Sequence, residues 1–197
     1  MHRRSSSACR LAVALAVLCA TAGAARCAAA QVPLPPDWEP GCSPVPLACT
    51  VGSGALRLDF ARHTLLWKWT GGGLVSISDV ANPTIGDRYD FCVYDGSNAL
   101  VLSTGVPAAG ICSGRPCWKA RSWGFLYRDP AGSTGGLTKI MLKAASRRHD
   151  RFLVQAAGAS LPMPAAAPVL PLVVQLVRTY QHTLQPEACW ASTYPPS

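Results

Sequence analysis

From residue 55 onward, apolar and polar residues trade places at every second position, a period that builds strands with one buried face and rules out a helical stripe. In "ALRLDFAR" Leu56, Leu58 and Phe60 share a face, and in "HTLLWKW" Leu65, Trp67 and Trp69 do. Tyr89, Phe91 and Val93 alternate in "RYDFCVYDG", Ile140 and Leu142 in "LTKIMLK", and "RFLVQAAGA" and "PLVVQLVRTY" add two further runs. No apolar set in this part of the chain holds a 3.6-residue period for three turns. The mostly apolar stretch from Pro168 to Val177 is half a membrane span and reads as a buried central strand. Asp95-Gly96 signals a tight hairpin turn, Gly124 divides residues 117–129 into two strands or one bulged strand, and "GGG" at 71–73 reads as another hairpin turn. About eight to ten short strands at this spacing predict an all-β protein: a single β-sandwich of jelly-roll-like arrangement, stapled by disulfides.

The N-terminus sets the expected compartment. Arg3, Arg4 and Arg10 precede the apolar stretch "LAVALAVLCATAGAA", and Ala28 and Ala30 occupy the small-residue positions of a cleavage site. Residues 1–30 therefore read as a signal peptide, giving a secreted or periplasmic chain that does not span a membrane after processing. Residues 31–50, "QVPLPPDWEPGCSPVPLACT", are a proline-rich leader or lid, and 51–197 form the β-sandwich domain. Processing lowers the formal charge from +8 to +4, because four arginines and no acids leave with the signal. The remaining charge reads as dispersed among Asp and Glu, and the cluster Arg147, Arg148, His149 and Arg151 reads as a solvated turn. Nothing in that pattern calls for nucleic acid as a partner.

Six cysteines remain after processing: Cys42, Cys49, Cys92, Cys112, Cys117 and Cys189. An even number in an exported chain predicts complete oxidation. "ICSGRPCW" places Cys112 and Cys117 around a Gly-Arg-Pro turn. Zinc would need a second close pair of ligands, whereas Cys42 and Cys49 are too widely spaced and His63, His149 and His182 are scattered. A redox site would place C-x-x-C at a helix N-terminus. The spacing therefore favours a local Cys112–Cys117 staple. Of the fifteen pairings that six cysteines allow, locality then favours Cys42 with Cys49, leaving Cys92 for Cys189.

Candidate binding groups are few. Trp67, Trp118 and Trp123 are candidate ligand-facing aromatics able to stack on sugar rings, set against core packing for the first two. Asp87, Asp90 and Asp95 are candidate oxygen ligands for Ca²⁺ in no recognised loop spacing, so turn and solvated roles weigh more. No nucleophile elbow, metalloprotease helix, phosphate loop or dinucleotide fingerprint is present. A glycosidase-like carboxylate pair would leave no sequence signature. No metal and no cofactor is implied.

Taken in order, "WKW" at 67–69, "YDFCVYD" at 89–95, "GICSGRPCW" at 110–118, "GFLYRD" at 124–129 and "CWASTY" at 189–194 resemble an uncharacterised β-rich domain of secreted bacterial proteins. The resemblance spans roughly residues 42–195. It implies a compact exported domain and carries over no catalytic residue. Cys92, Cys112, Cys117 and Cys189 match its cysteine pattern, Cys42 matches less firmly and Cys49 is extra, which leaves the partner of Cys42 open. The functional expectation is an exported non-enzymatic domain that binds or presents something, with a cell-surface glycan or protein as partner. The alternatives are a hydrolase acting on an extracellular polymer and a purely structural module.

Overall fold

The computed structural model describes residues 41–71, 75–144, 150–180, 182–183 and 185–196. The expected signal peptide, residues 31–40 of the leader, Gly72 and Gly73 of the glycine turn, and Arg147, Arg148 and His149 lie outside the described residues.

The chain is all-β, as its alternation predicts. β1 (Thr50–Asp59) and β2 (Thr64–Gly71) form the first hairpin. A single turn of helix, α1 (Ile77–Val80), follows, started by Ser76 and Asp79 in a reciprocal capping box. β3 (Asp87–Tyr94) and β4 (Leu100–Val106) make the next hairpin, turned as expected at Asp95, whose Oδ1 accepts from Ser97 and Ala99. β5 (Ile111–Cys112) and β6 (Arg115–Pro116) form a small separate ribbon closed by the Cys112–Cys117 bridge. A meander follows through β7 (Trp118–Arg121), β8 (Gly124–Arg128), β9 (Leu137–Lys143) and β10 (Arg151–Ala157). Gly124 turns the corner between β7 and β8 with φ +137°, and a Cβ there would collide with the Leu142 carbonyl. The chain closes with β11 (Leu172–Tyr180) and β12 (Pro186–Tyr194).

Ten of the strands form one sheet in the order β4-β3-β11-β12-β1-β2-β10-β9-β8-β7. The ten strands make one large curled sheet whose two halves are joined through β1, an arrangement compatible with the expected sandwich. Thr50 and Val51 of that strand run parallel to Trp190 and Ala191 of β12, and from Gly52 onward it pairs antiparallel with β2. At the crossover a Cβ on Gly52 would lie 2.5 Å from the Trp69 indole, so the bend needs a residue without a side chain.

The inner faces of the two halves share one aromatic core. Trp67 meets Phe91 edge-on at 5.6 Å, Trp69 stacks on Phe152 at 5.1 Å, and Phe152 meets Trp190 at 4.8 Å. Tyr89 joins Trp190 to Trp118, and Trp118 packs on Tyr127. Three of these buried indoles have acceptors for their N–H groups: Trp67 donates to Ser192 Oγ, Trp69 to the Ala191 carbonyl and Trp118 to the Pro107 carbonyl. Those three rings remove large apolar areas from water without stranding a donor.

A second, smaller cluster lies outside the sheet, on β3, β11 and β12. Residues 42–49 cross that face as a strap. Cys42 bonds to Cys92 on β3 with Cα atoms 5.7 Å apart, and Cys49 to Cys189 on β12 at 4.9 Å. Between them, on β11, the buried Gln175 amide donates to the Leu47 carbonyl and accepts from the Leu47 N–H. Tyr94 donates to the Ser43 carbonyl, and burial raises its phenol to about 12. The later part of the proline-rich leader is therefore built into the domain, and Thr50 already belongs to β1.

This geometry corrects two of the three expected pairings. β11 lies between β3 and β12, with Cys92 opposite Gln175 and Cys189 opposite Val177. Two strand spacings of about 4.8 Å exceed the 4.4–6.8 Å Cα separation of a disulfide before the offset along the strands is added. Cys92 and Cys189 cannot meet, whereas an extended strap reaches both. The Cys112–Cys117 staple is as expected, with Cα atoms 4.9 Å apart.

Candidate binding face

The candidate aromatics do not make a platform. Trp67 and Trp118 point into the shared core, with 0% and 2% of their surface exposed and their N–H groups already bonded. Both are core residues because each sits at the apolar parity of its strand. Trp123 lies half-buried in the β7–β8 turn, away from the other two.

The candidate carboxylates do not converge either. Asp87 accepts from Arg178 at 3.0 Å on one face of β3, while Asp90, on the opposite face, accepts from Arg88 at 3.0 and 2.7 Å. Burial pushes the Asp90 carboxyl up, and the hydrogen bonds and charge of Arg88 pull it down. Asp95 serves its turn. Hydrogen bonds from Ser97 help hold its carboxyl below the usual range. Among the described residues, no three His, Cys, Asp or Glu side chains gather as metal ligands.

The uncommitted polar groups collect on the outer face of β1, β2, β10, β9, β8 and β7. Strand register arranges them in rows. One row runs Arg57, Leu66, Gln155, Lys139, Arg128 across five strands. A parallel row, four residues away along the strands, holds Arg151, Lys143 and Arg121. Between them, half-buried Leu153, Met141 and Leu126 stand side by side, with Lys68 and Lys119 at the two ends.

The result is an apolar strip rimmed by eight cations. None of them is in an ion pair among the described residues, because the paired cations are Arg62, Arg88 and Arg178. All four lysines of the chain, Lys68, Lys119, Lys139 and Lys143, are on this face. Two like-charged pairs stand directly across from each other: Arg128 against Lys139 and Arg151 against Lys143. Such pairing is unfavourable to the sheet. At the β1 end the face deepens into a groove of about 460 Å³ lined by Arg57, Asp59, Arg62, Thr64, Thr138 and Gln155, among others.

The signal for this face was present in the sequence one strand at a time. Each of the eight cations occupies the polar parity of an alternating run. What was missing was the order of the strands, which brings residues as far apart as Arg57 and Arg151 onto one surface.

Compared with known protein families, curated proteins and solved structures, the chain matches none. Three disulfides are typical of chains that mature in an oxidising compartment. Among the described residues, no helix is long and apolar enough to cross a membrane.

Proposed function

We propose that this chain is an exported, non-enzymatic binding domain that holds its ligand on the outer face of β1, β2 and β10–β7. One observation carries the reading: among the described residues the cations of that face have no acidic partner, while Asp87, Asp90, Asp95, Asp129 and Glu187 are committed to ion pairs and turns. Asp129 illustrates the second half of that contrast, since it accepts from Ala131 and Ser133 within its own loop. A hydrolase would need two carboxylates facing one substrate bond, and Asp87 and Asp90 turn to opposite sides of β3. The secretory signal, the complete use of the mature cysteines and the resemblance to secreted β-rich domains support export as the setting.

Binding of the folded, oxidised protein to a glycan array tests the reading. Retention on at least one class of extracellular polymer, with the polymer recovered unchanged, is the expected result. Shortening of the polymer during incubation would replace it with the hydrolase reading.

A further inference from the structure

Resting on that reading, we infer that the ligand is a linear acidic polysaccharide, laid across the strands along the cationic rows with its end units in the groove beside Arg57. The distribution of charge argues for a polymer. The cations are spread from β1 to β7, a distance of about 24 Å at the usual strand spacing. They do not converge on a point, as they would around a small anion, so affinity would accumulate over many weak contacts along one chain.

The chemistry of the groove argues for a ligand carrying hydroxyl groups. Thr64, Thr138 and Gln155 line it beside Arg57, offering hydroxyl and amide groups next to a guanidinium, and the one carboxylate of its lining, Asp59, is paired with Arg62 at 3.6 Å. Carboxylates and sulfates suit both side chains of the rim, as forks for Arg and point charges for Lys. An anionic bilayer fits less well, because insertion needs projecting apolar residues. Of the exposed large hydrophobics, Val45, Ile85, Ile111 and Val169 lie off this face and Val51 stands alone at its β1 edge, beside β12, while the strip of Leu153, Met141 and Leu126 is half-buried between longer cations. Single-stranded nucleic acid is served by aromatic platforms, and the outer positions of these strands carry none.

The opposed like charges give the inference a second leg. A sheet that needed these positions only for solubility would do better with mixed signs across Arg128–Lys139 and Arg151–Lys143. Keeping one sign at both places is costly to the fold and useful to a polyanion.

The test is affinity of the full, oxidised protein for polygalacturonate, with neutral dextran, duplex DNA and phosphatidylglycerol vesicles as the other arms. Polygalacturonate should bind tightest and weaken with added salt. Lys139→Gln should lower that affinity about two- to fivefold, and Lys139→Gln with Lys143→Gln and Arg151→Gln roughly ten- to hundredfold, at unchanged Tm or slightly above it. Arg115→Gln removes the same single charge from the exposed β5–β6 ribbon and should change affinity less than about twofold. Equal losses in Lys139→Gln and Arg115→Gln would overturn the inference by reducing it to net charge, and so would tighter binding to DNA or vesicles. Salt-insensitive binding to neutral dextran would overturn the acidic ligand and leave the binding domain standing. Retention on no polymer at all would overturn both.

Discussion

On the outer face of the β3, β11 and β12 region, Asp90, Cys92, Tyr94, Gln175 and Val177 are buried. On the outer face of β2, β10 and β9, the corresponding positions are Lys68 and Arg151, which are exposed, and Lys143 and Lys139, which are half-buried. Both are the far side of the same curled sheet, and both are set by alternation. The first carries Cys92 and Val177 among polar groups that find protein partners, Asp90 with Arg88, Tyr94 with Ser43 and Gln175 with Leu47, and is covered by the strap from Cys42 to Cys49. The second carries long cations whose stems lie over a half-buried apolar strip and whose heads remain solvated. One outer face has become a small second core, and the other is uncovered among the described residues, so the residues at polar parity, rather than the backbone, decide which outcome a sheet face has.

Removing the strap's anchors should have the largest effect on this contrast. Cys49→Ser with Cys189→Ser opens a closure of 140 residues and should lower unfolding free energy by about 4–5 kcal/mol in a denaturant titration. The Cys42–Cys92 closure spans 50 residues and should cost about 4 kcal/mol, against about 2 kcal/mol for the 5-residue Cys112–Cys117 staple. If the staple proved the most stabilising of the three, the strap would be decoration rather than cover.

Neighbouring residues can separate inside from outside within one strand. Trp67→Ala empties a fully buried site and should cost about 3–5 kcal/mol, whereas Lys68→Ala next to it should stay within about 0.5 kcal/mol. Comparable losses would mean that the β2 outer face is covered. Gln175→Leu takes away both hydrogen bonds to Leu47 and should cost about 1–3 kcal/mol, with faster amide exchange at Leu47 as its local mark. The smallest expected effect has the opposite sign. Lys143→Glu turns an opposed like pair with Arg151 into an attractive one and should raise stability by about 0.2–1 kcal/mol, readable as a higher Tm at low salt.

How much of this was legible in advance follows from what each signal encodes. Alternation grouped Tyr89 with Phe91, and Ile140 with Leu142, on faces that prove buried, because side-chain direction is a local property of a strand. Asp95-Gly96 and Gly124 marked real turns for the same reason. α1 escaped notice because four residues are too few to show a helical period, though Ser76 and Asp79 carry its cap. The strap pairings failed on a non-local fact: no pattern in "RYDFCVYDG" or "CWASTY" says that β11 lies between them. The cationic face was hidden by the same gap, since the cations of these strands look dispersed along the chain until six strands are placed in order. Trp67 and Trp118 were candidates for stacking on sugar rings, yet their strands face them inward, against Phe91 and Tyr127.

If the ligand sits on the outer face of β2, β10, β9, β8 and β7, the lysines report on it directly, because all four lie there. Acetylation of the folded, oxidised protein with a limiting amine reagent, followed by peptide mass mapping with and without polygalacturonate, reads each one against the α-amino terminus as internal control. The account predicts slower modification of Lys68, Lys119, Lys139 and Lys143 in the presence of the polymer, with the α-amine unchanged. Polymer binding that leaves those four lysines as reactive as before would contradict it.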